Sequence, residues 1–200
     1  MSRHLPALPV EFVGSFPDPR HPLDPPLPEI AFLGRSNVGK SSLLNAVSGR
    51  PGLARVSRTP GRTSAMNVFR YPTFYLVDLP GYGYARASHE ARSGYAKLIN
   101  DYLVERSRLH AVVWLLDIRH GPSAEDLEQR ELLAERGVPV LVALTKADKL
   151  TRREQIRQAA GMAVALDLPE EQFHLTSSSR GTGIADLGDS ILAVLAETAP

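Results

Sequence analysis

The sequence predicts an α/β fold with a six- or seven-stranded, mostly parallel sheet and helices on both faces. Apolar runs alternate with amphipathic stretches along the chain, which is the pattern of strands and helices that pack in layers. Several runs, such as residues 111–116, are apolar throughout, and this suits strands that are buried on both faces of a parallel sheet. A length of 200 residues is enough for one such domain with a full core.

The first 28 residues are predicted to be an extension, and residues 29–200 to be the α/β domain itself. Residues 10–13 are the candidate for a short edge strand. Residues 16–28 contain six prolines in thirteen positions, and proline restricts the backbone and removes an amide donor. We therefore expect this segment to run as an extended connector.

The later elements are predicted from the spacing of their apolar residues. The predicted strands are residues 29–33, 66–71, 73–77, 110–117, 138–145 and 172–176. The predicted helices are residues 40–48, 88–106, 123–136, 152–165 and 183–196. Only Pro72 separates the second and third of these strands, which leaves no room for a crossover, so the two are expected to form an antiparallel hairpin.

The composition excludes several classes of protein. Cysteine is absent, which excludes disulfides, thiolate metal sites and cysteine nucleophiles, and suits a reducing cytoplasm. No apolar run reaches the roughly 18 residues of a membrane span, and the start of the chain has no secretory pattern. We therefore expect a cytoplasmic protein without a membrane partner.

A phosphate-binding loop is predicted directly after the first strand of the domain. The pattern G-x-x-x-x-G-K-[ST] is matched by Gly34, Arg35, Ser36, Asn37, Val38, Gly39, Lys40 and Ser41. Glycines let several backbone N–H groups converge on one phosphate, and the following helix adds its positive end. Lys40 is expected to reach the β- and γ-phosphates, and the Ser41 hydroxyl to coordinate Mg²⁺.

A second loop follows the strand at residues 73–77 and consists of Asp78, Leu79, Pro80 and Gly81. An Asp in this place can hold Mg²⁺, directly or through water, and the Gly81 N–H can meet a γ-phosphate. Taken alone, Asp-x-x-Gly is more often an ordinary turn. Its place after a buried strand favours the phosphate site.

Two further strand ends indicate which base is bound. Thr145, Lys146, Ala147 and Asp148 have the form [NT]-K-x-D, and one carboxylate can accept both the N1–H and the exocyclic amine of guanine. Adenine leaves that pairing unmade, which is a strong basis for discrimination. The backbone of Thr176, Ser177 and Ser178 could bind guanine O6, although a serine-rich turn before the last helix explains it equally well.

A switch loop is predicted at residues 49–63, which are rich in Gly, Pro and Arg. A γ-phosphate with Mg²⁺ could order such a loop through one threonine. Thr63 is our choice for this metal contact and Thr59 is the rival. A plain surface loop is the alternative interpretation.

The residue after Gly81 is Tyr82, where many GTPases have a glutamine that orients the attacking water. The phenol could instead simply pack, and with either interpretation slow intrinsic hydrolysis is expected. The Asn37 side chain could help to hold K⁺ beside the phosphates, where a positive charge stabilises the transition state. It could equally brace the loop backbone.

The sequence resembles the EngB family of bacterial ribosome-assembly GTPases over nearly all of the chain from about residue 12. The resemblance is carried by residues 27–43, by Ser57-Arg58-Thr59-Pro60-Gly61-Arg62-Thr63 and by the segment at 78–84. It implies a Ras-like P-loop fold, with Ser41 and Thr63 as Mg²⁺ ligands. Our candidate catalytic residues are Lys40, Thr63 and Asn37. The resemblance also implies nucleotide contacts from Gly61, Arg62, Thr63, Ser64 and Ala65, a role in maturation of the large ribosomal subunit, and a link to septum formation.

The distribution of charge suggests a nucleic-acid partner. Residues 50–92 carry a charge of +5 and the other residues sum to −4, although the whole chain is only +1. The seven arginines of this basic segment are Arg50, Arg55, Arg58, Arg62, Arg70, Arg86 and Arg92. Ribosomal RNA would be their natural target, and a solvated face is the alternative.

The acidic helix at 123–136 is expected to present a solvated face, through Glu125, Asp126, Glu128, Glu131 and Glu135. Trp114 is expected in the core. We expect a monomeric GTPase that uses GTP and GDP as a switch. The alternatives are a GTP/GDP-sensing module with negligible turnover and a small-molecule phosphotransferase.

Overall fold

The structure is a computed structural model that describes residues 4–54, 65–83 and 89–197, with side chains at all of these positions except 89–92. Its strands are β1 (Glu11–Phe16), β2 (Glu29–Gly34), β3 (Met66–Arg70), β4 (Tyr75–Asp78), β5 (Leu109–Asp117), β6 (Val140–Thr145) and β7 (Phe173–Leu175). Its helices are α1 (Lys40–Ser48), α2 (His89–Glu105), α3 (Ala124–Arg136), α4 (Arg152–Leu166) and α5 (Ile184–Glu197).

The strands form one seven-stranded sheet in the order β1-β3-β4-β2-β5-β6-β7. Strand β3 is antiparallel to both of its neighbours, and β4, β2, β5, β6 and β7 run parallel to one another. This arrangement confirms the predicted fold class. After β2 the chain moves to one side of that strand and later returns on its other side, which creates the crevice where α/β sheets bind ligands.

Two layers of apolar side chains cover the two faces of the sheet. On one face, α2, α3 and α4 pack over alternate residues of the central strands, including the fully buried Trp114. On the other face, α1 and α5 pack over the residues between them, such as Phe32 and Val113. Both faces are therefore covered, which explains why the central strands are apolar throughout.

Side-chain capping defines where two of the helices begin. The Ser123 hydroxyl accepts the Asp126 N–H, and the Asp126 carboxylate accepts the Ser123 N–H, which is a capping box at the start of α3. Thr151 and Glu154 make the same exchange at the start of α4. Both helices start directly after loops at the carboxyl edge of the sheet, so the capping boxes fix structure close to that edge.

Strand β1 is longer than the predicted residues 10–13, because its ladder with β3 continues to Phe16 opposite Met66. It is an edge strand, as expected. The following proline-rich segment is not uniformly extended, since the Asp18 carbonyl accepts the His21 N–H in a turn. The segment also packs on the domain, where the Tyr75 hydroxyl donates to the Pro25 carbonyl at 2.9 Å. The division of the chain at residue 28 stays a prediction.

The chain before β1 also packs on the domain. Leu5 is fully buried within the layer formed by α1 and α5. A Cβ added to Gly49, at the end of α1, would lie 2.7 Å from Pro6, so the two segments touch closely. Within the ranges given above, the structure contains no helix of the length and apolar character needed to cross a membrane.

Candidate nucleotide site at the carboxyl edge of the sheet

The phosphate loop lies between β2 and α1, at the carboxyl end of the central strand. Asn37 and Gly39 have left-handed backbone conformations, with φ of 66° and 108°, which turn the chain sharply before the helix. Gly34 has a different requirement, since a Cβ there would lie 2.9 Å from Val38 and 3.1 Å from the Leu115 carbonyl. These glycines allow a compact loop directly ahead of the α1 N-terminus, and loop amides at a helix N-terminus favour a phosphate.

Two residues at the end of β6, Thr145 and the following Lys146, hold the phosphate loop in place. The Thr145 hydroxyl lies 2.8 Å from the Val38 carbonyl and 3.2 Å from the Leu116 carbonyl, and it can donate to one of them at a time. Lys146 Nζ donates to the Asn37 carbonyl at 2.9 Å. The predicted base-binding loop and the predicted phosphate loop are therefore connected by direct hydrogen bonds.

Asp117, at the end of β5, was not identified from the sequence. It accepts hydrogen bonds from Lys146 Nζ at 2.9 Å and from both Nε and Nη2 of Arg119. Burial alone would raise the pKa of Asp117, but the hydrogen bonds from Arg119 and Lys146 outweigh it and hold the pKa well below its usual value. Asp117 therefore remains charged and fixes the direction of the Lys146 side chain.

Asp148 is placed by the loop that follows β7. The Ser177 hydroxyl donates to Asp148 Oδ1 at 2.7 Å, and Lys149 pairs with Oδ2 at 3.1 Å. The Ser177 bond, followed by the Lys149 bond, lowers the pKa of Asp148. The backbone joins the same loops, because the Ala147 N–H donates to the Thr176 carbonyl. Two of the predicted loops thus meet around one charged carboxylate.

Lys40 and Asp78 form an ion pair at the start of α1 and the end of β4. Both side chains are largely buried, and Asp78 Oδ2 also accepts the Asn67 amide at 3.2 Å. The cation predicted to meet phosphates and the carboxylate predicted to meet Mg²⁺ are thereby held in contact with each other. Ser41 follows Lys40 on the first turn of α1, so its hydroxyl group belongs to the same end of the helix.

The Asp78–Gly81 loop packs closely on the phosphate loop. The Ser36 N–H donates to the Tyr82 carbonyl at 2.9 Å, and a Cβ added to Gly81 would lie 3.0 Å from the Ser36 nitrogen. Leu79 and Pro80 are buried between these points. A side chain at residue 81 would crowd Ser36, so glycine allows the close approach of the two loops.

The side chain of Tyr82 is packed in the core, and its phenol points away from the phosphate loop toward Asp126 and Trp114. The residue is 6% exposed, its hydroxyl donates to Asp126 Oδ1 at 2.7 Å, and that hydroxyl accepts the Trp114 indole N–H at 2.8 Å. Of the two interpretations of Tyr82 left open by the sequence, packing is the one that the structure favours. The expectation that Asp126 is part of a solvated helix face is wrong, because this side chain is buried and fully hydrogen-bonded.

Several predicted residues cannot be placed. Gly61, Arg62, Thr63 and Ser64, together with the rival Thr59, lie outside the described residues, so their roles stay predictions. Ala65 is half-buried directly before β3. Within the basic segment, Arg55, Arg58, Arg62 and Arg86 and the side chain of Arg92 are also outside the description, and Arg70 pairs with Glu11 at 2.6 Å.

The fold and the arrangement of these loops define a P-loop GTPase. The family model described as "50S ribosome-binding GTPase" matches residues 29–146. The chain belongs to the EngB family of GTP-binding proteins. It therefore has GTPase activity, and this family assignment favours GTP hydrolysis over the phosphotransferase hypothesis.

Relatives named "Probable GTP-binding protein EngB" align over most of their length. The protein from Desulfatibacillum aliphaticivorans is 42% identical over 91% of this chain and 89% of its own. The protein from Gemmatimonas aurantiaca is 46% identical over 85% of this chain and 84% of its own.

Solved structures show the same fold. A crystal structure of a probable GTP-binding protein EngB superposes with a TM-score of 0.73 at 24% identity, covering 84% of this chain and 99% of that one. The structure of Era in complex with MgGDPNP and nucleotides 1506–1542 of 16S ribosomal RNA superposes with a TM-score of 0.68 at 22% identity. That match covers 87% of this chain and 58% of the Era chain.

Proposed function

We propose that the site binds GTP and GDP and that the chain uses GTP hydrolysis as a switch during assembly of the large ribosomal subunit. The observation that carries the nucleotide assignment is the direct connection between the predicted base-binding and phosphate loops, made by Thr145 and Lys146. This connection holds the loop that would bind the base and the loop that would bind the phosphates in a fixed position relative to each other. The remaining predicted contacts, Thr176 to Ser178, lie beside Asp148.

Guanine is read by Asp148 in this proposal. Its carboxylate accepts the N1–H and the exocyclic amine of the base, and its lowered pKa keeps it an acceptor throughout the neutral range. Lys146 has its ammonium fixed by Asn37 and Asp117, so its aliphatic stem can lie along the base. Backbone amides in the Thr176–Ser178 turn meet guanine O6.

The phosphates are held by the phosphate loop and Lys40, with Mg²⁺ as cofactor. Hydroxyl and carboxylate oxygens are ligands that suit this ion, and Ser41 and Asp78 supply them at adjoining ends of α1 and β4. Thr63 remains the proposed third protein ligand. When bound, Mg²⁺ neutralises negative charge on the phosphate oxygens. Lys40 exchanges the Asp78 carboxylate for the β- and γ-phosphates as the nucleotide enters.

Hydrolysis is slow without a partner, because the described residues around Gly81 offer no amide side chain in the place of the usual glutamine. Tyr82 cannot replace it while its hydroxyl is engaged by Asp126 and Trp114. The Asn37 side chain helps to hold K⁺ as an additional positive charge beside the phosphates. Faster turnover in K⁺ than in Na⁺, lost in Asn37→Ala, supports this role, and equal rates in the two salts reject it.

The ribosomal partner is supported by the description of the matching family, which names the 50S ribosome, and by the basic segment at residues 50–92. In this proposal, arginines in that segment contact the phosphate backbone of ribosomal RNA. The proposed place of action is the cytoplasm. Pelleting with purified large subunits should be stronger with a GTP analogue than with GDP and should weaken with salt. Arg55→Ala with Arg58→Ala should reduce it. The link to septum formation stays a prediction.

The nucleotide assignment is tested by changing Asp148 to Asn. An Asn side chain can donate to the carbonyl that xanthine carries where guanine has its amine. Fluorescent GDP should therefore bind at least about tenfold more weakly to Asp148→Asn, and xanthosine nucleotides should bind more tightly than to the unchanged protein. Asp189→Asn, on the exposed surface of α5, is the matched control. Competition by ATP as effective as that by GTP would overturn the assignment.

A further inference from the structure

Tyr82 lies where three parts of the carboxyl edge meet. Its backbone follows the Asp78–Gly81 loop, its ring enters the layer below α3, and its hydroxyl touches both β5 and the start of α3. Two of these contacts are hydrogen bonds between side chains distant in sequence, to Trp114 and Asp126. A residue that only filled the core would not need a phenol with two buried polar partners.

The hydrogen bonds of the Tyr82 hydroxyl are complete and specific. Trp114 has a single N–H, which it gives to Tyr82, and Tyr82 gives its own proton to Asp126. Burial, together with the negative charge of Asp126, raises the pKa of Tyr82 well above its usual value, so the phenol stays protonated as a donor. Removing the hydroxyl would leave two buried polar groups without this partner, which has a large energetic cost.

The main chain of Tyr82 connects this buried network to the phosphate loop. Its carbonyl accepts the Ser36 N–H, and residues 35 and 82 pair as a parallel bridge. Gly81 lies between this bond and the ion-paired Asp78, in close contact with Ser36. The hydrogen bonds of Tyr82, the next residue, therefore fix the position of the Gly81 amide.

The opposite end of the network is the first turn of α3. Asp126 accepts Tyr82 with Oδ1 and uses Oδ2 for the N–H and the hydroxyl of Ser123. The same carboxylate thus anchors Tyr82 and begins the helix. A displacement of Tyr82 changes the environment of the α3 capping box, and of Trp114 below it.

We propose that Tyr82 is a positioning residue for the γ-phosphate, and that it couples the Gly81 amide to Trp114 and to the N-terminus of α3. This inference rests on the proposed function, in which Gly81 meets the γ-phosphate. Tyr82 acts through Gly81 and does not touch the nucleotide. Its hydroxyl therefore matters for GTP, which has a γ-phosphate, and not for GDP, which has none.

The test compares Tyr82→Phe with Tyr71→Phe. Tyr71 is a matched control because its buried hydroxyl also donates a hydrogen bond, to Ser48 at 2.9 Å, in the opposite core layer. Tyr82→Phe should weaken binding of the non-hydrolysable analogue GDPNP about five- to tenfold and leave GDP binding within about twofold. It should lower kcat about tenfold, while Tyr71→Phe leaves the ratio of the two affinities unchanged.

Trp114 provides an independent readout, because it is the only tryptophan in the sequence. Its fluorescence should differ between the GDP and GDPNP complexes of the unchanged protein, and Tyr82→Phe should abolish that difference. Ser123→Ala removes the capping hydroxyl but leaves the bond from Tyr82 to Asp126, and should preserve the affinity ratio. If Tyr82→Phe does not fold, the fluorescence of the unchanged protein decides the question.

Two outcomes would overturn the inference, and both differ from a failure of the proposed function. One is an equal loss of GDP and GDPNP affinity in Tyr82→Phe, which would make the hydroxyl a support of the fold alone. The other is identical Trp114 emission with GDP and GDPNP bound. Absence of guanine-selective binding by the unchanged protein would reject the proposed nucleotide site itself.

Discussion

The two ends of the candidate nucleotide site are built differently. At the base end, Asp148, Lys146 and Thr145 already make hydrogen bonds to neighbouring loops that do not need to break when guanine enters. At the γ-phosphate end, Lys40 and Asp78 are paired with each other, and in the proposed function that pair is exchanged for the ligand. The base end is pre-organised, and the phosphate end changes its partners.

This difference suits a switch that must keep its nucleotide while detecting one phosphate. Pre-organisation lowers the cost of binding and serves GDP and GTP equally. An end that exchanges partners can respond to the γ-phosphate, because a ligand shifts an equilibrium only by its different affinity for the two states. Substitutions at the base end should therefore change overall affinity, and those behind Gly81 should change the ratio between GTP and GDP.

The largest effect is expected from Lys40→Met at the phosphate end. It removes the charge that meets the phosphates and leaves Asp78 buried with only the Asn67 amide as its described partner. GTP affinity should fall about 100-fold. The protein should also lose about 3 kcal/mol of stability, because an uncompensated buried charge remains. Fluorescent-nucleotide titration and thermal unfolding measure the two effects.

Lys97→Met is the control for that substitution, since Lys97 pairs with Asp101 on the exposed surface of α2. It should change neither measurement appreciably. Unaltered GTP binding in Lys40→Met would show that the ion pair with Asp78 is purely structural, and the contrast between the two ends would disappear.

An intermediate effect is expected from Thr145→Val at the base end. The substitution preserves volume but removes the hydroxyl that lies between the Val38 and Leu116 carbonyls. Affinity for GDP and for GDPNP should fall by the same factor, about tenfold. Thr73→Val, exposed in the β3–β4 turn, is the control. A loss confined to GDPNP would contradict the assignment of this residue to the base end.

The smallest effect is expected from Asp117→Asn and depends on pH. The folded-state pKa of Asp117 lies below its ordinary value of 3.8, so the charged carboxylate stabilises the fold above that pH and the benefit is lost on acidification. Thermal unfolding should show a loss of about 1 kcal/mol at neutral pH, which shrinks as the pH falls below about 4. A loss that does not change with pH would reject the ionic explanation.

The sequence predicts the succession of strands and helices because each has its own periodicity of apolar residues and is bounded by turn-forming residues. It also places the four strand-end motifs, since parallel strands bring their carboxyl ends to one edge. The observed ends of strands differ from the predicted ends where hydrogen bonding to a neighbouring strand determines them. Asp78 is the last residue of β4, opposite Asn67 and beside Phe32, although the pattern suggested that the strand ends one residue earlier.

The sequence could not reveal contacts that depend on the folded arrangement. Tyr82 and Asp126 are 44 residues apart, and no local pattern connects them. Asp126 belongs to an acidic stretch that has the composition of a solvated face, yet the rotation of α3 turns this one carboxylate inward. Asp117 had a weak signal, as a lone acid at the end of an apolar strand, the same place that Asp78 holds on β4.

The buried position of Leu5 has a consequence for biosynthesis. This side chain packs in the layer formed by α1 and α5, and a Cβ at Gly188 of α5 would lie 3.6 Å from it. Because Leu5 precedes α5 in the chain, its packing is completed only after the α5 segment has left the exit tunnel. Domains generally fold as units during synthesis, so Leu5 is without its α5 partner until that helix has been synthesised.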